Sequence, residues 1–180
     1  ILLHMPEEYA FWTFTSLVQD ILPQGYFEPT MLGLRTDQQT FHSMIAWKLP
    51  EVFEILSVND IALDPVICPW FLCSYINALP LYAVSRVWDC LFWEGNTVLL
   101  RVGLAMLKSK YRFIEDSSDV LFIYTVLMKG GKDTSFQLSP MPGVDESTSA
   151  DDSNCSLIQG LISYTYSKTG IGSLPRSTVD

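Results

Sequence analysis

The chain has 180 residues, of which 48% are hydrophobic and 17% are charged, and it carries a net charge of −9 with a pI near 4.5. It is long enough for one packed domain and too apolar for a chain that stays unfolded. The negative charge argues against binding to nucleic acid and against docking on anionic membranes, because both need clusters of lysine and arginine.

The start of the chain and its cysteines bear on where it acts. Residues 1–4 lack the basic stretch of a signal peptide, and the chain opens on Ile1 rather than Met, which indicates a fragment or a processed product. The longest apolar run, Val120 to Met128, is well short of the ~20 residues that span a membrane. There is no C-x-x-C pair and only two histidines are present, so we expect no metal, no cofactor and a reducing, cytoplasmic setting.

The first half of the chain shows three helical patterns. Pro6 followed by two glutamates begins an apolar stripe that runs to Leu22, where Pro23-Gln24-Gly25 ends it. We expect a loop from Tyr26 to Leu34 and a helix from Asp37 that Thr36 caps. Pro50 then forces a kink or a new helix start, because proline cannot continue the backbone hydrogen-bond ladder.

The second half predicts further helices and no strands. Residues 66–79 are apolar on nearly every side, which is typical of a helix that is buried or faces a partner. Pro80 suits the start of the next helix and Gly95 its end, after which Asn96 and Thr97 offer caps for a helix over residues 98–108. A last helix over residues 120–129 completes an all-α prediction.

Composition divides the chain near residue 131. From Lys132 onward it is rich in Ser, Asp, Pro and Gly, which predicts that residues 132–180 form an acidic, Ser-rich tail of low order. The mildly apolar stretch over residues 157–166 is compatible with docking on the domain or with remaining free. We therefore expect a domain over residues 1–131 and a separate tail.

Several motifs in their order and spacing carry a resemblance to a known family. They are Met5-Pro6-Glu7-Glu8 with Ala10-Phe11-Trp12, then Asp37-Gln38 with Phe41, Lys48-Leu49-Pro50, Trp70-Phe71-Leu72, and finally Leu79-Pro80-Leu81 with Arg86-Val87-Trp88-Asp89-Cys90-Leu91-Phe92 and Glu94-Gly95. This series resembles the C-terminal half of the TBC domain, the fold of GTPase-activating proteins for Rab-family GTPases. The resemblance covers residues 1 to about 110.

The resemblance implies a regulator of a partner enzyme, with no enzyme activity of its own. In the family, an Arg from Ile-x-x-Asp-x-x-Arg and a Gln from Tyr-x-Gln enter the GTPase site, and both precede the Pro-Glu-Glu helix. This sequence contains no Tyr-x-Gln, and Ile61-x-x-Asp64 is followed by Ile67 where the Arg is expected. We therefore expect a chain that binds GTP-bound Rab, is inactive alone and reaches endomembranes only through that partner.

Candidate site residues fall into two groups, and none is assigned to catalysis or metal binding. Trp70 and Phe71 are partner-contact candidates, because large aromatics are frequent in interfaces and the family places this segment near the Rab-facing groove; the alternative is that both fill the core. A structural role is expected for a second group, in which the charged members form a buried or half-buried set that locks two helices together: Arg86, Trp88, Asp89, Gly95 and Arg101.

A second class of function is equally compatible with the missing finger motifs. The chain then belongs to a TBC-like helical scaffold without catalytic function, and the coding sequence upstream of Ile1 distinguishes the two. Under either interpretation, half of a helical domain leaves apolar faces such as those of Phe11 and Trp12 uncovered. We therefore expect an isolated chain that aggregates or packs loosely.

Overall fold

The computed structural model describes residues 1–128 together with Ser163 and Tyr166. Within these residues the chain is all-α, which confirms the predicted fold class. The predicted end of the last helix, at residues 129–131, lies outside the described residues. So does the predicted tail over residues 132–180, apart from Ser163 and Tyr166. The α-helices are α1 (Glu7–Ser16), α2 (Leu32–Lys48), α3 (Pro50–Val58), α4 (Asp64–Leu72), α5 (Leu81–Glu94), α6 (Thr97–Ile114) and α7 (Val120–Met128).

The first helix follows the prediction, and the second begins earlier than predicted. After Pro6, α1 runs into a π-helical segment, Leu17–Ile21. Helix α2 starts at Leu32, and Thr36 is no cap, since its Oγ1 donates to the Leu32 carbonyl 3.0 Å away. The first turn of α2 lies close against the preceding loop, because a Cβ on Gly33 would be only 2.7 Å from the Gln24 carbonyl oxygen.

The middle of the chain restarts at Pro50, as predicted, but α4 is shorter than the apolar run suggests. It ends at Leu72, and Ser74 and Tyr75 adopt φ values of 45° and 68° in the left-handed region. The turn stays apolar because it is itself buried: Tyr75 is fully inaccessible and its hydroxyl donates to the Leu99 carbonyl over 2.5 Å. A buried turn therefore has the same apolar composition as a buried helix, and the sequence alone predicts a helix that is too long.

Helix α6 is the centre of the fold. Helix α5 begins after Pro80 and ends at Gly95, whose φ of 84° suits glycine, so this helix has the predicted bounds. Helix α6 then extends to Ile114 instead of Lys108 and contacts α2, α3, α4, α5 and α7. Its buried face continues to the last turn because α7 covers that end.

None of the described helices combines the length and the apolarity that crossing a bilayer requires. In the same part of the chain, no three His, Cys, Asp or Glu side chains come together as a group able to hold a metal ion.

Candidate partner-binding surface

The two residues predicted to contact a partner lie in the core. Trp70 is 3% exposed and Phe71 is fully buried. The Phe71 ring packs edge-on against Phe41 with centroids 5.2 Å apart, and Lys110 Nζ lies 5.4 Å from the Trp70 ring centroid. Helices α2, α6 and α7 surround α4, so the described residues leave neither side chain a surface for a partner.

The charged residues of α5 and α6 are arranged differently from the prediction. Arg86 Nη1 lies 3.7 Å from Asp89 Oδ2, but both side chains are 71% exposed, so this pair contributes little to the packing. The prediction that Arg101 joins them is wrong. Its Nη1 donates to Glu94 Oε2 over 2.8 Å, with the Arg101 side chain only 15% exposed, and its Cζ lies 5.1 Å from the Tyr166 ring.

Trp88 and Gly95 have identifiable structural roles. The Trp88 indole donates from Nε1 to the Ser74 carbonyl over 3.0 Å, which joins α5 to the buried turn after α4. Gly95 carries the positive φ that turns the chain from α5 into α6. Both residues act where two elements that follow one another along the chain meet.

A buried polar pair joins α2 to the start of α6. The Asn96 side-chain amide donates to both carboxylate oxygens of Asp37, at 3.0 and 2.8 Å. Burial raises the pKa of Asp37 to about 6, an effect that the hydrogen bond from Asn96 opposes. The Tyr26 hydroxyl is buried near the same carboxylate and has no hydrogen-bond partner among the described residues, and burial, together with the charge of Asp37, raises the pKa of Tyr26.

This pair corrects the role predicted for Asn96. The side chain makes no capping hydrogen bond at the start of α6 and bonds to Asp37 instead. The only signal in the sequence was that a charged residue, Asp37, stands among apolar neighbours on the buried face of α2. A carboxylate on such a face needs a donor, but its partner is 59 residues away along the chain.

Lys110 is a second buried charged residue that the sequence did not single out. Its ammonium group donates to the carbonyls of Val126 and Leu127, at 2.9 and 2.7 Å, near the end of α7. Burial lowers the pKa of Lys110 to about 7. The lysine therefore ties the last described helix to the central one.

Helices α1 and α5 each carry a cluster of exposed large side chains. On α1, the aromatic side chains of Tyr9, Phe11, Trp12 and Phe14 are all exposed, as expected from the sequence for Phe11 and Trp12. A groove of about 530 Å³ runs between this helix and Trp88, and residues 1–3 line its end. Large apolar surfaces of this kind mark interaction sites.

Helix α5 presents a second exposed stripe of different chemistry. Tyr82, Arg86, Asp89 and Trp93 recur at i, i+4, i+7 and i+11, and Trp93 is 88% exposed. Trp, Tyr and Arg are the residues most enriched at the energetic centres of protein interfaces. The stripe therefore has the composition of a contact surface for a folded partner.

This helical arrangement and its motif series define a domain of the TBC class. A family model described as the Rab-GTPase-TBC domain matches residues 1–114, so the chain belongs to that family. Among solved structures, the crystal structure of the Chlamydomonas flagellar RabGAP TBC domain has the same fold, with a TM-score of 0.67 at 24% identity over 90% of this chain and 46% of that one.

Curated relatives agree with this family. Growth hormone-regulated TBC protein 1 of Rattus norvegicus is 38% identical over 120 residues, which are 67% of this chain and 41% of that protein. Small G protein signaling modulator 3 of Homo sapiens is 34% identical over 127 residues, or 71% of this chain and 17% of that protein. The chain thus spans less than half the length of these relatives.

Proposed function

We propose that this chain is part of a GTPase-activating protein for Rab-family small GTPases, in which it supplies scaffold and part of the Rab-binding surface. The observation that carries this proposal is the match of residues 1–114 to the Rab-GTPase-TBC domain. The GTP-bound Rab is the partner, and the chain reaches the cytoplasmic face of endomembranes through it.

In this proposal the partner performs the chemistry. GTPase activators act by placing an arginine against the charge that develops on the phosphates and by orienting the attacking water. The family's Tyr-x-Gln does not occur in this sequence, and Ile67 stands where Ile61-x-x-Asp64 would place the Arg. The residues present here therefore hold the partner, and the chain alone does not accelerate hydrolysis.

The exposed stripe of α5 is the better candidate for Rab contact than the pair chosen from the sequence. Trp70 and Phe71 are buried, whereas Trp93 is 88% exposed on the same face of α5 as Tyr82 and the exposed Arg86–Asp89 pair. Docking on this stripe buries the two aromatic side chains, Tyr82 and Trp93, near its ends and covers the Arg86–Asp89 pair that lies between them.

Binding and catalysis are tested separately. Calorimetry with a panel of GTP-loaded Rabs is expected to find at least one that binds, with the GDP-loaded form binding more weakly. Trp93→Ala is expected to weaken binding at least about tenfold, whereas Trp47→Ala on α2, which removes a 62% exposed tryptophan, leaves it unchanged. If no GTP-loaded Rab binds, the proposed partner is wrong.

Single-turnover hydrolysis tests the inactivity of the chain alone. We expect no acceleration for any Rab in the panel at saturating chain. Acceleration above the intrinsic rate would show that residues within this sequence act as fingers.

The alternative is a catalytically inactive TBC-like scaffold. The lack of both finger motifs in this sequence is as compatible with that scaffold as with part of an activator. The coding sequence upstream of Ile1 separates the two. Ile-x-x-Asp-x-x-Arg and Tyr-x-Gln in that sequence indicate an activator, and their absence indicates a scaffold.

A further inference from the structure

The corner between α5 and α6 sets a charged pair against an aromatic ring from a distant part of the chain. Arg101 Nη1 donates to Glu94 Oε2 over 2.8 Å, and Arg101 Cζ lies 5.1 Å from the centroid of the Tyr166 ring. Within about 6 Å, a guanidinium is attracted by the face of an aromatic ring. Tyr166 lies outside residues 1–114 of the family match, so this contact lies beyond what that match describes.

The Tyr166 hydroxyl lies near two side chains of α5, the Glu94 carboxylate and the Cys90 thiol. Burial, together with the Glu94 carboxylate, raises the pKa of the Tyr166 hydroxyl, because both disfavour the charged phenolate. Burial also raises the pKa of the Cys90 thiol. Since Cys90 and Glu94 stand at i and i+4, they are neighbours on the surface of α5. Tyr166 therefore lies along one side of α5 and reaches Arg101 on α6.

Each part of the Tyr166 side chain has its own counterpart at this corner. The ring lies against the guanidinium of Arg101, whose side chain is only 15% exposed, and the hydroxyl lies near Glu94. A guanidinium can donate along its edge and stack through its face at the same time. Phenylalanine offers no group to the carboxylate, and an aliphatic side chain offers no ring to the guanidinium. The Arg101–Glu94 pair therefore forms a site that fits tyrosine.

This tyrosine site lies beside the exposed stripe of α5. Cys90 directly follows Asp89 and Glu94 directly follows Trp93, and successive residues of a helix are turned by about 100°. The contact flanks the stripe without covering it, because Trp93 is 88% exposed while Tyr166 itself remains 40% exposed. A folded partner that docks on the stripe therefore meets the Tyr166 ring at the edge of the same surface.

The stripe needs such an extension to hold a folded partner. Residues 82–93 of one helix extend about 17 Å along its axis. A stable interface, by contrast, covers about 800 Å² and about 20 residues on each partner. Neighbouring elements must supply the rest of this area, and an exposed tyrosine held on two sides is a side chain of the type that interfaces favour.

We propose that the Arg101–Glu94 pair binds Tyr166 of the same chain, and that Tyr166, held there, extends the partner-contact surface of α5. The occupant is this chain's own C-terminal part. Of the two alternatives that the sequence left open for the stretch ending at Tyr166, docking on the domain is the one that this site favours. The extension of the contact surface rests on the proposed function, whereas the docking of Tyr166 does not.

The docking is tested by alkylation of Cys90 in the full chain. Tyr166→Ala is expected to raise the rate of Cys90 alkylation by iodoacetamide at least about fivefold, because the thiol loses its cover and is more readily deprotonated. Tyr166→Phe keeps the ring and is expected to give an intermediate rate. Ser163→Ala is the control, since Ser163 is likewise helical and exposed. Mass spectrometry of the peptides gives the rate at each cysteine, and Cys68 and Cys73 are the internal references.

Two results of this experiment would overturn the docking. One is a Cys90 rate that Tyr166→Ala leaves unchanged. The other is equal acceleration at Cys68, Cys73 and Cys90, which would mean that Tyr166 stabilises the whole domain and does not cover one site. Selective acceleration at Cys90, absent in Ser163→Ala, supports the docking.

Calorimetry with a GTP-loaded Rab tests the extension of the contact surface. Tyr166→Ala is expected to weaken binding at least about threefold, whereas Ser163→Ala leaves it unchanged. Weaker binding in Trp93→Ala but not in Tyr166→Ala would overturn the extension. If no Rab binds, the extension fails together with the proposed function, and the alkylation rates by themselves decide the docking. Failure of the docking and failure of the proposed function are therefore distinct results.

Discussion

Gly103 is a position where one added carbon meets the core. It lies in α6 opposite α2 and the buried turn, and a Cβ there would be 2.8 Å from both Phe41 Cε2 and the Tyr75 hydroxyl oxygen. Both neighbours are fully buried and cannot move away. Gly103→Ala is therefore expected to destabilise the chain by about 1–3 kcal/mol, although alanine favours a helix by about 1 kcal/mol.

Urea unfolding at 25 °C measures this cost. Tyr75→Phe is the companion variant, because it removes the oxygen but keeps the ring. The Gly103→Ala cost is expected to be smaller in the Tyr75→Phe background, since residues in contact are not additive. A Gly103→Ala chain as stable as the parent would contradict the close approach.

The pH dependence of stability is expected to depend on Lys110. Burial lowers the pKa of this lysine to about 7, whereas in the unfolded chain it keeps its ordinary value of 10.5. Between these values the unfolded chain binds a proton that the folded chain does not. The lysine therefore makes the free energy of unfolding rise with pH, by up to ~1.4 kcal/mol per pH unit, and makes no such contribution below pH 7.

Lys110→Met isolates this effect, because methionine keeps the linear apolar stem and removes the titrating group. Urea unfolding at pH 7.5, 8.5 and 9.5 is expected to show a steeper rise for the parent than for the variant. The variant is also expected to be less stable at pH 9.5, because two carbonyls near the end of α7 lose their donor. Parallel pH profiles would show that the lysine is not buried as described.

At the scale of elements, the hydrogen bonds between Asp37 and Asn96 link α2 to the start of α6, and their contribution to the free energy of unfolding is expected to depend on pH. The pKa of Asp37 is raised to about 6 from 3.8, so its contribution to stability is complete below pH 4 and is lost as pH rises through 6. The Asn96 amide offsets part of that loss by hydrogen-bonding the charged form. Asn96→Ala is therefore expected to cost about 1–3 kcal/mol at pH 7.5 and less at pH 5.

Thermal and urea unfolding at the two pH values test this, with Asn77→Ala as the control, because Asn77 is exposed in the turn before α5. The control is expected to cost little at either pH. An equal cost of Asn96→Ala at pH 5 and pH 7.5 would mean that Asp37 does not titrate between them.

The same elements show which signals in a sequence are local. Pro50, Pro80 and Gly95 determine helix ends through their own backbone restrictions, and the structure has all three where they were predicted. The start of α2 and the end of α4 were misplaced, because they depend on tertiary contacts: Gly33 against Gln24, and the buried Tyr75 against Leu99. Tyr75 and Leu99 lie 24 residues apart, so no window of neighbouring residues contains both, and the shorter approach of Gly33 to Gln24 depends on how the loop between them folds.

At the scale of the whole molecule, family membership was more predictable than the binding surface. The family motifs are defined by the order and spacing of residues along the chain, so the sequence was sufficient to identify the family. Whether Trp70 or Trp93 is exposed depends on which helices surround α4 and α5, and the sequence does not show this. Aromatic residues are frequent in cores and in interfaces alike, so their type alone left both interpretations open.

The charge and the exposed α1 aromatics predict how the isolated chain behaves in solution. A net charge of −9 repels copies from one another, and this repulsion extends about 30 Å at 0.01 M salt but only about 3 Å at 1 M salt. The exposed aromatics attract one another at any salt concentration. Light scattering is therefore expected to give the monomer mass of 20.4 kDa at low salt and larger species without fixed stoichiometry as salt increases.

Trp12→Gln leaves the net charge unchanged and is expected to reduce the increase in mass with salt, whereas Trp47→Gln is not. A mass that stays at 20.4 kDa from 0.01 to 1 M salt would show that the α1 aromatics do not drive association.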